Sequence, residues 1–429
     1  MKFSKLSQLV LVSAIGLVVA TLLTACNLVT VDYVFVAASA GTSAGSAGQI
    51  YAYAVDAESG AIRSAIPVVS SGGTNPVAMA TTSDYDNLYV ANQGSNTVVH
   101  FAIADNGTLT KQDSITLSTP PVSLAVNAAN TYLYVVSYLP SSTTNSATLT
   151  EYALSNGAIG SPVETVDLSL NCVGRSLAYY PGDSIVPTDV TVLANNNAVY
   201  VAAYDQSAYN VSGGSTTSNA NPGWLFGLAV GSGGALSPAA KNCANTAATY
   251  QSYDVYEAGV KPSALASDPT NRFVYVTDYA SDGLIGYTVL SSGTLNFMVN
   301  GPFRTGNEPT ALIIDPRGLY IYVANSLDDT VSAYTITLST GTPSSVVNIS
   351  GSGVNSTDTD PVSIVVEPSL GRFVYTANRL GDSISGFKLD PDTGALSATQ
   401  ATPYPINGAY PAAVIAVPHG NHATQSVAP

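Results

Sequence analysis

Positive charge is scarce in this chain: 13 Lys+Arg stand against 28 Asp+Glu in 429 residues, for a formal net charge of −15. So acidic a surface repels a phosphate backbone, which excludes nucleic acid as a partner. Histidine and cysteine each occur only 3 times, and no His/Cys/Asp cluster has the spacing of metal ligands. No glycine-rich phosphate loop lies between a strand and a helix. No cofactor is expected, although turn carboxylates could hold a structural Ca2+ without an announcing motif. Charged residues of both signs make up just 10%. The polar surface must therefore be carried by Ser, Thr, Asn, Gly and Tyr, which suits a protein outside the cytoplasm.

What the chain has in abundance is one repeated pattern. Pro309 to Gly341 reads as a three-strand meander, with β-branched and aromatic runs at Thr310–Ile314, Leu319–Asn325 and Thr330–Thr337 separated by turn residues. Such a sheet cannot bury both faces alone and needs copies of itself. An aromatic-Val-Ala/Thr-Asn/Asp motif recurs from Phe35, Tyr89, Tyr134, Tyr200, Tyr275, Tyr322 and Tyr375. A proline opens a short apolar run at Pro76, Pro121, Pro187, Pro262, Pro309, Pro361 and Pro411. A glycine turn follows each motif, as at Gly107, Gly293 and Gly341, where a tight hairpin needs φ > 0.

Small antiparallel sheets repeated in this way predict an all-β, seven-bladed β-propeller over residues 33–418. The prolines and aromatic motifs are offset by one strand. The chain starts at a second strand, Tyr33–Ala38, and ends with an unpartnered first strand, Pro411–Val417. Pairing of these two strands closes the ring and leaves no open edge. A monomeric propeller with a disordered tail at 419–429 is expected.

The first 25 residues read as an export signal: Lys2 and Lys5, then an apolar core from Leu9 to Leu23 that is short for a bilayer span. Leu23-Thr24-Ala25-Cys26 resembles a bacterial lipoprotein lipobox. The resemblance implies a lipidated Cys26, a short tether over 26–32, and a protein anchored to a membrane of the bacterial cell envelope on its extracytoplasmic side. Cys172 and Cys243 occupy equivalent long connections of neighbouring blades, and a disulfide between them is expected in such a compartment.

Asp268, Asp315 and Glu367 fall at first hairpins, and Asn96, Asp282, Asp329 and Asp382 at second hairpins, where their side chains satisfy turn backbone groups. His100 reads as a strand-face residue and Trp224 as packing within an insertion. Positions just before the opening prolines differ from blade to blade and begin the strands around the central channel. There Lys261, Glu308 and Asp360 occupy three consecutive blades, with Arg304 and Asn307 close to Glu308 in sequence. Converging charge in a chain so poor in it is the candidate site.

The Tyr-Val-Ala-Asn and Tyr-Val-Thr-Asp segments resemble the YVTN-repeat propellers, a group that includes lactonase-like seven-bladed propellers similar to 6-phosphogluconolactonase. The resemblance covers residues 33–418 and implies either a lactone hydrolase or a cell-surface binding protein. A hydrolase would use Glu308 or Asp360 as the base and Lys261 or Arg304 as the electrophilic partner. The absence of a channel histidine, too few cations for a sugar-phosphate pocket, and export away from cytosolic phosphorylated sugars all weigh against the enzyme. The expectation is therefore a binding module for a protein or glycan, with lactone hydrolysis as the alternative. Its binding face would comprise the insertions of blades three and four and the aromatic residues Tyr179, Tyr180, Tyr204, Tyr209 and Tyr250.

Overall fold

The computed structural model describes residues 29–41, 45–140, 146–168, 184–206, 209, 222–237, 255–347, 354–406, 408–420 and 424. Strand formation follows the residue pattern. The second strands, such as Tyr320–Asn325 and Phe373–Asn378, are buried at every position, and they are runs of β-branched, aromatic and small residues. A strand buried on both faces must lie between two other sheets, which is the place of a middle strand in a propeller blade.

Seven antiparallel sheets form the ring. Blade 6 is typical: Pro309–Ile314 pairs with Tyr320–Asn325, this with Thr330–Ile336, and the last with Pro343–Ser345. Blade 1 closes the ring as the offset predicts. Its innermost strand is the C-terminal Tyr410–Pro418, paired with Thr30–Ser39 in the register Tyr33↔Val417 and Val36↔Val414. Ala47–Asp56 and Ile62–Thr74 complete that sheet.

The core is divided among the seams between blades. Tyr322 of blade 6 shares one cluster with Val374 and Phe387 of blade 7, and Phe35 of blade 1 shares another with Val90 and Phe101 of blade 2. Each such fully buried side chain contributes about 1.5–3 kcal/mol, so the ring is held by many equivalent seams.

The outer strands are less regular than the inner three. In blades 1 to 3 they are continuous, as in Leu109–Thr116 and Ala158–Asp167. In blades 4 to 7 they break into two short pieces on the third strand, for example Leu295–Phe297 and Phe303–Arg304 in blade 5. Trp224 is placed differently from the sequence reading. It lies buried within the third strand of blade 4, Gly223–Val230, opposite Ala203. The second-strand motif gives no sign of where blade 4's third strand starts, because a long connection separates the two.

Turn carboxylates act as expected: Asp315 Oδ1 accepts the N–H groups of Leu319 and Tyr320 at 2.6 and 2.8 Å, and Glu367 accepts those of Leu370 and Arg372 at 2.8 and 2.6 Å. His100 is buried, with its ring nitrogens against Asp113 and Asn87 at 2.9 and 2.8 Å. Cys26, Cys172 and Cys243 lie outside the described residues, as do Tyr179, Tyr180 and Tyr250. The expected lipid anchor and disulfide therefore lie outside them too.

Candidate functional site at the channel mouth

Two rows of residues meet where the innermost strands begin. In five blades the carbonyl of the pre-proline residue accepts the N–H of the residue that follows the second strand of the same blade. Tyr279 donates to Lys261 and Ser326 to Glu308 at 2.9 Å, and Arg379 donates to Asp360 at 2.8 Å. The antiparallel pairings Pro262↔Asp278, Pro309↔Asn325 and Pro361↔Asn378 fix this geometry.

Glu308 and Asp360 sit in the left-handed region, with φ of 52° and 60°. That conformation is uncommon for a residue with a Cβ and is crowded further by the following proline. A carboxylate from the neighbouring blade holds each one there: Asp282 Oδ1 accepts the Glu308 N–H at 2.9 Å and Asp329 Oδ1 accepts the Asp360 N–H at 2.8 Å. Asp282 and Asp329 thus do more than shape their own turns. They position the charged residues of the next blade.

Lys261 and Glu308 are joined through Tyr279. The Lys261 ammonium lies 4.6 Å from the Tyr279 ring centroid, 5.4 Å from Tyr209 and 5.7 Å from Tyr204. Three ring faces hold it by cation–π attraction, each worth about 0.5–2 kcal/mol. Among the described residues no carboxylate pairs with it. The Tyr279 hydroxyl donates to Glu308 Oε2 at 2.6 Å. That hydrogen bond first, and burial second, push Tyr279 up to about 12, so it remains a donor at neutral pH. Asp360 is buried and committed to Arg379, whose Nε lies 2.9 Å from its Oδ2. Among the described residues, Glu308 has no cationic partner and Lys261 has no anionic one.

Arg304 is not brought to this cluster. It belongs to the outer piece Phe303–Arg304, which pairs with the third strand at Gly283. Three strand spacings of roughly 4.8 Å separate such a position from the inner strand. Among the described residues, no ion pair joins Arg304 to Glu308 or to another mouth carboxylate. Asn307 is also engaged elsewhere, donating to Asp328 at 2.8 Å.

Three residues of the site were not singled out by sequence. Tyr279 and Arg379 each directly follow a second-strand motif, and antiparallel pairing puts that position beside the pre-proline residue. The same rule gives Gln93, which accepts from the Asn75 amide at 3.2 Å, and Tyr138. The third is Asp189. Counting from the opening proline, the third position of each innermost strand is Ala78, Ser123, Asp189, Ala264, Ala311, Ser363 or Ala413, small and uncharged except at Asp189. Its carboxylate accepts from Ser123 Oγ at 2.7 Å and from the N–H groups of Val190 and Leu265 at 2.9 Å, bridging blades 3, 4 and 5. Burial pushes Asp189 upward against the lowering effect of these bonds.

Tyr204 and Tyr209 were expected on a separate aromatic face. They stack edge-on, 5.7 Å apart, and both face Lys261, so the aromatic and charged features share one place. No group of three or more His, Cys, Asp or Glu that could hold a metal ion occurs among the described residues.

Comparison with known proteins agrees with this architecture. A search of curated proteins returns no match. Among solved structures, the periplasmic gluconolactonase PpgL of Pseudomonas aeruginosa is similar with a TM-score of 0.67 at 18% identity, over 90% of this chain and 99% of that one. A candidate 6-phosphogluconolactonase of Bacteroides fragilis gives a TM-score of 0.65 at 16% identity, over 91% of this chain and 99% of that one. A protein from Lactobacillus plantarum gives 0.64 at 16% identity, over 90% and 99%. These likenesses carry the fold. The family described as "Lactonase, 7-bladed beta-propeller" matches residues 35–174 and 257–422. The chain belongs to this family of seven-bladed lactonase propellers.

Proposed function

We propose that the protein is a lactone hydrolase acting at the channel mouth. The observation that carries this reading is the placement of an unpaired ammonium, Lys261, and an unpaired carboxylate, Glu308, on one tyrosine. Hydrolysis of a cyclic ester needs a base for water and a positive donor for the oxygen that becomes negative. Glu308 takes a proton from water as the water oxygen bonds to the lactone carbonyl carbon. Lys261 donates to the carbonyl oxygen and stabilises the tetrahedral oxyanion. The ring C–O bond then breaks, and the proton held by Glu308 passes to the leaving alkoxide, giving the open hydroxy acid.

The tyrosine cage supports this assignment because it fixes the ammonium without neutralising it, which a carboxylate partner would do. Asp360 serves in this scheme as the partner of Arg379 and not as the base. The family match and the gluconolactonase-type neighbours support a hydrolase more than the binding module expected from sequence.

Mouth charge also bears on the substrate. Carboxylates of Glu308, Asp360, Asp282 and Asp329 surround two cations, one of them already paired with Asp360. A phosphate dianion is repelled there, so an unphosphorylated lactone fits better. The test is turnover on a panel of sugar and aromatic lactones, with phosphorylated and unphosphorylated forms side by side. Turnover confined to unphosphorylated lactones supports the reading. No turnover on any member overturns it and returns the weight to ligand binding.

A further inference from the structure

The seam between blades 3 and 4 departs from a pattern kept by most of the ring. In five blades the tyrosine of the second-strand motif donates its hydroxyl to a glycine carbonyl in the next blade's outer hairpin. The bonds are Tyr89 to Gly157 at 2.6 Å, Tyr200 to Gly293, Tyr275 to Gly341 at 2.5 Å, Tyr322 to Gly394 at 3.0 Å and Tyr375 to Gly60 at 2.7 Å. Opposite the tyrosine on the third strand, blades 4 to 7 carry Gly227, Gly286, Ala333 and Gly386.

Blade 3 carries Glu151 at this position, opposite Tyr134. Glu151 is 0% exposed, and neither of its carboxyl oxygens has a hydrogen-bond partner among the described residues. The Tyr134 hydroxyl, which should reach the blade 4 hairpin, is buried without a partner as well. Glu151 Oε1 lies so close beneath Gly234 of that hairpin that a methyl group there would be 2.3 Å from it. The carboxyl thus occupies the place where the clasp forms elsewhere.

Among the described residues, the groups facing Glu151 give it no compensation. Directly across on the outer strand stands Glu164, whose Oε2 accepts the Leu236 N–H of blade 4 at 2.9 Å. Tyr134 and Tyr132 face it from the second strand, and blade 4 presents the uncharged turn Gly231–Ala235. Blade 2 offers the contrast: His100 stands at the equivalent position, pairs with Asp113 at 2.9 Å, and leaves the Tyr89 clasp intact.

We propose that Glu151 is a pH-operated latch, closing the seam between blades 3 and 4 while neutral and loosening it when ionised. An unpaired buried carboxylate is costly, whereas a protonated one can remain. Burial first, and the negative charge of Glu164 second, push Glu151 up to about 7 from 4.5. With the closed-state value raised, the proton is bound more tightly closed than open. The stabilisation is full below about 4.5 and is lost as pH rises through about 7.

The test is hydrogen exchange of the purified protein at pH 5.5 and 8, corrected for intrinsic exchange, in peptides covering 147–154 and 223–237. Seam opening should rise roughly tenfold or more with pH in the wild type, as linkage across these two values requires. Glu151→Gln, a fixed neutral form, should show no rise. Glu151→Gly, which copies blades 4, 5 and 7, should show none and should be better protected, because Tyr134 regains its clasp. If Glu151→Gln fails to fold, the Glu151→Gly comparison decides alone. A wild-type seam that opens equally at both pH values overturns the proposal, as does an undiminished rise in the folded variant.

Discussion

Asp189 shows how much one side chain can carry in a ring of small ones. It accepts hydrogen bonds from blades 3 and 5 while sitting in blade 4, so Asp189→Ala leaves buried donors unsatisfied in three blades. The expected loss is about 2–4 kcal/mol of unfolding free energy, measured by denaturant titration. Asp360→Asn, by contrast, removes one charge from a pair whose arginine is largely exposed. It should cost under about 1 kcal/mol by the same titration. The pre-proline rule picked out Lys261, Glu308 and Asp360 because these positions vary between otherwise similar blades. Tyr279, Arg379 and Asp189 escaped notice because their roles depend on which residue lies across a strand pair or beside the next blade. A single chain read in order does not display those relations.

At the scale of the element, the clasp between blades gives a paired prediction. Tyr322→Phe removes a hydroxyl bonded to Gly394 in a buried seam and should cost about 1–2 kcal/mol. Tyr134→Phe removes one with no partner and should be neutral or slightly stabilising, both measured by denaturant titration. A similar loss in both variants would refute the assigned role of the clasp. Inner strands were legible because proline, aromatic motif and glycine turn recur in step. Outer strands were not: two- and three-residue pieces such as Phe303–Arg304 and Asn355–Ser356 have no periodicity to detect. That gap is why Arg304 was grouped with Glu308.

The whole molecule depends on closure between its two ends, and this was legible from the one-strand offset of the repeats. At the joint between blades 7 and 1, Asp32 is fully buried and accepts from Ser369 Oγ at 2.7 Å. Burial first, and Glu367 beside it, push Asp32 up to about 9 from 3.8. The folded chain therefore keeps a proton that the unfolded chain releases above about 4. Stability from this group is complete below that value and falls as pH climbs towards 9. Asp32→Asn should flatten the decline between pH 5 and 9 and raise the melting temperature at pH 8 in calorimetry.

The central claim, that Lys261 and Glu308 open a lactone at the channel mouth, is tested most directly by comparing kcat/KM on the best unphosphorylated lactone for the wild type, Lys261→Met, Glu308→Gln and Arg304→Ala. The account predicts losses of roughly 100-fold or more in the first two variants, by the usual size of base and oxyanion effects, and wild-type activity in the third. Full activity in Lys261→Met and Glu308→Gln, or a loss confined to Arg304→Ala, would contradict it.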